Sequence, residues 1–246
     1  MSTPLVNRRE LLCLLGAAAA SSFFGASMES RQKLTPAVDA VDHLLFGTAD
    51  LDKGIALIEK LTGVRAVIGG SHPGVGTRNA LLSLGGKRYL EIIGPDPAQT
   101  TFTSRQDVRK LTEPRLITWA AATSDIDALA KRLTGKGTQV FGPRDGSRAR
   151  PDGKVLEWKS MATMHESGAD LIDPVPFLIE WAAASVHPSQ DSPAGCTLQS
   201  LEFEAPKASA VLDDLRLLGI EGVVKEAKAP RLIATLKTPK GTVRLE

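Results

Sequence analysis

The 246-residue sequence is poor in aromatic residues, 4% in all, and holds only two cysteines and four histidines. Cys13 falls in a segment expected to be removed, which leaves Cys196 alone. A single cysteine forms no internal disulfide and supplies no cysteine pair for structural zinc. No arginine-rich run or basic stripe appears and the formal net charge is +2, which argues against nucleic acid as a partner. Past the N-terminus no apolar run reaches the roughly 20 residues of a membrane helix. A soluble mature chain, with no membrane partner once the signal is removed, is therefore expected. What remains is ordinary for a globular protein: 42% hydrophobic, 24% charged, and long enough for one or two domains with a sizeable core.

The N-terminus reads Asn7-Arg8-Arg9-Glu10-Leu11-Leu12, then a short apolar stretch rich in alanine. A charged head, an apolar run and small residues make a secretory signal. The arginine pair resembles the twin-arginine motif, so residues 1–30 are expected to be an export signal, cut near Ala20 or Ala26. A bacterial periplasmic or secreted address follows. The motif also favours a cofactor loaded before export.

The remainder repeats when read by hydrophobic period. A first unit has a strand over 41–47, a helix over 51–61 capped by Asp50 and ended by Gly63, and a strand over 64–68. A glycine-rich loop over 69–77 follows, then strands over 79–84 and 88–93 joined at Gly85-Gly86. A second unit repeats this order: a strand over 115–122, a helix from Asp125 to about Leu133, a short strand over 138–141, a polar loop over 142–153, and strands over 154–164 and 176–181. A linker over 187–195 leads to a shorter third unit with a strand over 198–204, a helix over 206–218 and three short strands. The fold class is α+β, built from repeated βαβββ modules. Residues 38–185 would be a paired domain and residues 196–246 an appended third module.

Aligning the helix starts Asp50, Asp125 and Pro206 puts His43, Thr118 and Gln199 seven residues upstream, and the units end on Glu91, Glu180 and Glu246. Each module thus offers a polar residue on its first strand and a glutamate on its last. Strand residues alternate between faces, so a glutamate between apolar neighbours points away from them and, in a curved sheet, can face the concave side. A carboxylate buried there costs several kcal/mol unless it is paired or binds a cation.

The stretches Val41-Asp42-His43-Leu44, Gly69 to Asn79, Tyr89-Leu90-Glu91-Ile92, Pro176 to Trp181 and His187-Pro188 resemble the vicinal-oxygen-chelate superfamily and its glyoxalase-like branch. The resemblance covers residues from about 40 to 195. It implies two modules paired into an open eight-stranded cup around one divalent metal (zinc, nickel, manganese or iron(II)), with His43, Glu91 and Glu180 as ligands. Thr118 stands where the superfamily usually has His, Gln or Glu. Glu180 would be the general base of an isomerase, lyase or hydrolase acting on a small carbonyl or hydroxy compound. Metal-free sequestration of a small molecule is the alternative that the same resemblance allows.

The glycine-rich loop reads as backbone closing over a ligand, with His72, Gly76, Thr77 and Asn79 as contacts, joined by Thr118. It lacks the Lys-Ser/Thr of a phosphate loop. Arg144, Arg148 and Arg150 read as a solvated loop face, with recruitment of an anionic substrate as the alternative. Trp119, Trp158 and Trp181 belong either to the core or to the cup wall, and Cys196 to the core. An odd module leaves an unpaired sheet that must pack on the cup or meet a second copy, which makes a homodimer the expected assembly.

Overall fold

The computed structural model describes residues 33–150, 152–165 and 171–246, so the expected export signal lies outside the described residues. Residues Leu34–Glu246 form one unit. In chain order the elements are β1 (Thr35–Pro36), α1 (Ala37–Ala40), β2 (Val41–Gly47), α2 (Leu51–Thr62), β3 (Val67–His72), β4 (Thr77–Ser83) and β5 (Tyr89–Pro95). Then come β6 (Arg115–Ala122), α3 (Ile126–Gly135), β7 (Val140–Ala149), β8 (Val155–Thr163) and β9 (Phe177–Trp181). The last are β10 (Thr197–Ala205), α4 (Ala208–Leu217), β11 (Ile220–Glu221), β12 (Val223–Glu226), β13 (Arg231–Thr238) and β14 (Gly241–Leu245).

The two long helices start where their caps dictate. The Asp50 side chain accepts from Lys53 N and the Asp125 side chain from Ala128 N. Gly63 closes α2 at a left-handed φ of 81°. Eight strands make one sheet in the order β3-β4-β5-β2-β6-β9-β8-β7. Within each module the first strand pairs parallel with the last (β2 with β5, β6 with β9), and β2 meets β6 antiparallel. This is the expected pair of βαβββ modules, curled into a half-barrel. Alternation along the strands sends Leu44, Phe46, Leu90, Ile92, Trp119 and Leu178 into the large core behind the sheet, shared with α2 and α3. A smaller apolar cluster of Leu45, Ile93, Val108, Leu111 and Ile117 lies on the concave side.

The third unit keeps the βαβββ order of elements but pairs differently. Its sheet runs β12-β10-β13-β14, so the first strand sits between the second and third and never meets the last. It packs against the back of the cup: Phe203 stacks on the fully buried Trp119 at 5.6 Å, and Leu116 N donates to Glu246 O at 2.9 Å. The apolar face that suggested a second copy is therefore covered within the chain. Glu246 ion-pairs with Arg231 and Arg244.

Two segments differ from their sequence reading. β3 starts at Val67 and takes in Gly69 to His72, which were expected in a loop. The polar segment after Phe141 is mostly strand: a register shift between Phe141 and Arg144 absorbs Gly142 and Pro143, after which β7 pairs with β8 to Ala149. Gly146 is needed there, because an added Cβ would fall 2.5 Å from the Trp158 ring lying across it. Glycine and proline read as loop signals; here they are the bulge and a packing gap. Among the described residues no helix is long and apolar enough to cross a membrane.

Candidate functional site

His43 and Glu91 meet on the concave face of the cup. Leu45 of β2 is in register with Glu91 on one side and Thr118 on the other, so these three residues form a row across β5, β2 and β6. His43 Nε2 lies 3.4 Å from Glu91 Oε2, and His72 Nε2 lies 3.7 Å from Oε1. Asn79 Nδ2 donates to Glu91 Oε1 at 2.7 Å and sits 3.3 Å from His72 Nε2. His72 Nδ1 is 2.8 Å from Thr77 Oγ1. With Asn79 as the donor on the Nε2 side, the Nδ1 proton goes to Thr77. The His43 ring stacks on Tyr89 at 4.6 Å and meets Phe177 edge-on at 5.6 Å.

Behind His43 lies a second polar group that sequence reading missed. Neighbouring strand residues normally point to opposite faces, but a register shift between Val41 and His43 breaks the alternation. Asp42 Oδ1 accepts from His43 Nδ1 at 2.7 Å. Its Oδ2 accepts from Trp181 Nε1 at 3.0 Å and faces His187 Nε2 at 3.1 Å. His187 Nδ1 in turn meets Ser189 Oγ at 2.8 Å. Asp42 thus holds the His43 ring with Nε2 turned toward Glu91.

Both carboxylates are buried and ionised. Burial pushes the Asp42 carboxyl up, but hydrogen bonds from His187 and His43 and their charges bring it down to about 2. Burial likewise opposes ionisation of Glu91, and the adjoining His43 and His72 rings, the Asn79 hydrogen bond and Arg148 hold it below its ordinary value. Burial, aided by Arg148 and His43 against the pull of Glu91, keeps His72 below the usual imidazole range and hence neutral at pH 7. Burial raises the Tyr89 phenol well above normal, with Glu91 and Asp42 adding to it.

Glu180, expected as metal ligand and base, is elsewhere. It shares the outward face of β9 with Leu178, and its Oε2 accepts from Ile126 N at 2.7 Å, capping α3. The strand's alternation, which turns Phe177 toward His43, turns Glu180 toward the helix. Gly76, at φ 85°, packs under the 101–102 segment, where an added Cβ would lie 2.2 Å from Thr101 O. Thr77 and Asn79 are in the cluster. Thr118 lines a separate 280 Å³ cavity on the second module's side of the cup, with Arg105, Arg144, Ser160, Asp173 and Phe177. Arg148, read as solvated, is 5% exposed: its Nη1 donates to Gly69 O, bridging the two edge strands β7 and β3.

The metal cage implied by the resemblance is not assembled. Of its three ligands only His43 and Glu91 meet, and His72 is kept from the carboxylate by the Asn79 amide. Each imidazole faces a different oxygen of Glu91. Among the described residues no group of three or more His, Cys, Asp or Glu side chains is placed to hold a metal ion. The residues present do not fit that three-ligand set.

A family model described as a glyoxalase-like domain matches residues 41–218. A search of curated proteins finds no match. Among solved structures, a hypothetical protein from Staphylococcus aureus is similar at TM-score 0.64 and 16% identity, over 84% of this chain and 98% of that one. A methylmalonyl-CoA epimerase from Mycobacterium tuberculosis is similar at TM-score 0.36 and 24% identity, over 52% and 84%. A variant epimerase from Streptomyces coelicolor, in complex with 2-nitronate-propionyl-CoA, gives TM-score 0.42 and 21% identity over 62% and 99%.

Proposed function

The chain belongs to the glyoxalase-like family of the vicinal-oxygen-chelate superfamily, and from that premise we propose an enzyme that moves a proton on a small carbonyl or hydroxy compound held in the cup. The observation that carries this reading is the buried row Asp42–His43–Glu91, which faces the concave side. Glu91 is ionised and tethered at Oε1 by Asn79, which leaves Oε2 as the basic atom. A base of this kind takes a proton from carbon next to a carbonyl. His43, oriented by Asp42 and stacked on Tyr89, faces the same oxygen and is placed to pass that proton on. Glu91 thereby takes the role first assigned to Glu180. The reaction class is isomerase or lyase.

The protein is read as exported to the periplasm by the twin-arginine route. That proposal rests on the arginine pair and the alanine-rich apolar run within residues 1–30 and is checked by cell fractionation. Hydrogen exchange from D2O into glycolaldehyde, dihydroxyacetone, pyruvate and lactate, followed by NMR, tests the activity. Exchange above the heat-denatured control supports the proposal. Binding without exchange makes the chain a sequestration protein instead. Elemental analysis of the same preparation, purified without chelator, decides whether a divalent metal accompanies the activity.

A further inference from the structure

We propose that Arg148 anchors a carboxylate of the ligand, so that the cup selects small 2-hydroxy or 2-oxo monocarboxylates; this rests on the acid–base reading above. Arg148 is a charged side chain more than nine-tenths buried, and among the described residues no carboxylate lies within 4 Å of its nitrogens. Its sequence neighbour Arg150 differs: it pairs with both Asp152 and Asp191. Buried charges are normally paired, because an uncompensated one is costly. A guanidinium has five donor hydrogens in a rigid fork. Among the described residues its one hydrogen bond, from Nη1 to Gly69 O, uses a single donor and leaves the rest for a ligand.

The surroundings are built for it. The opposing strand edge is Gly69-Gly70, and at Gly70, with φ at +143°, an added Cβ would lie 3.0 Å from Arg148 Nη1. The missing side chain is the room the guanidinium occupies. Asn79 Oδ1, buried and without a hydrogen-bond partner among the described residues, is also beside Gly69, where an added Cβ would meet it at 2.3 Å. The same corner therefore holds guanidinium donors not taken up by Gly69 O and a buried acceptor without a partner among the described residues, which a carboxylate with a neighbouring hydroxyl would engage together. After burial itself, Glu91 is the charged neighbour felt most strongly by Arg148. A carboxylate held there brings its adjacent carbon toward the Glu91 end of the cup.

Isothermal titration of the full mature protein with L-lactate and pyruvate, against neutral lactamide at fixed ionic strength, tests the anchor. The acids should bind about tenfold or more tightly than the amide, the scale of one good charge-assisted contact. Arg148→Gln keeps a neutral donor for Gly69 O and should erase that preference while melting as a folded protein. If Arg148→Gln does not fold, Arg148→Lys carries the test, since losing the fork should weaken the preference several-fold. Equal binding of acid and amide by the wild type, or an unchanged preference in either variant, overturns the proposal. If the acids do not bind but glycolaldehyde still exchanges hydrogen, the anchor fails and the acid–base reading stands. If nothing binds and nothing exchanges, both fail.

Discussion

Removing the Glu180 carboxylate separates the structural account from the metal-ligand expectation. In the structure this group accepts from the first amide of α3 at 2.7 Å, while Asp125 separately accepts from Ala128 N at 2.9 Å. Glu180→Ala leaves the Ile126 amide to water and takes a negative charge from the helix N-terminus. A lost N-terminal cap costs about 1 kcal/mol, and the helix dipole adds about 0.3–1 kcal/mol at a partly exposed position. For a folded unit of this size about 1 kcal/mol lowers Tm by roughly 2–4 °C. Glu180→Gln, which keeps a neutral acceptor, should lose about half as much. Calorimetry of both variants, with and without added zinc or manganese, is the assay. An unchanged Tm in Glu180→Ala would show that the cap is not made in solution. A metal-induced rise in Tm that the wild type has and Glu180→Ala lacks would refute the assignment of this carboxylate to the helix.

Other consequences follow from the same geometry. Asp42 has a depressed pKa, so its contribution is fully present above the unfolded value of 3.8 and is lost as pH falls through about 2. That is worth about 2 kcal/mol, and the stability difference between wild type and Asp42→Asn in urea melts should shrink by about that amount between pH 5 and pH 2; a constant difference refutes the shift. Trp119→Ala opens the joint between the cup and the third unit, where Trp119 stacks on Phe203 and donates to Pro174 O, and should cost about 3–5 kcal/mol. Gly76→Ala combines a positive φ with a backbone clash and should cost more than about 1 kcal/mol; a neutral effect on the melt would contradict the packing under Thr101.

The fold was readable because its signals are local. Asp50, Asp125 and Gly63 mark helix ends by hydrogen bonding and backbone conformation, and apolar spacing marks the strands around them. Half of the candidate site was equally readable: His43 and Glu91 come together because they lie on one face of paired strands, two residues apart in register. The rest depends on which face of a strand turns inward. Leu178-Ile179-Glu180 looks like Leu90-Glu91-Ile92 as a pattern, but its glutamate is one step out of phase, and one step reverses the face. Asp42 was missed because only a bulge lets it share a cluster with His43. Arg148 was missed because Pro143, Gly142 and Gly146 read as a loop, while the strand partner that buries them is more than ten residues away. The pairing of the third unit could not be read at all, since element order alone does not fix which strands meet.

The most direct test of the account is the D2O exchange assay run side by side on wild type, Glu91→Gln and Glu180→Gln with the same four compounds. Loss of a general base costs about 100-fold or more, so Glu91→Gln should fall by at least that while Glu180→Gln stays within about threefold of wild type. Equal losses in the two variants, or full activity in Glu91→Gln, would contradict the assignment of Glu91 as the base of the cup.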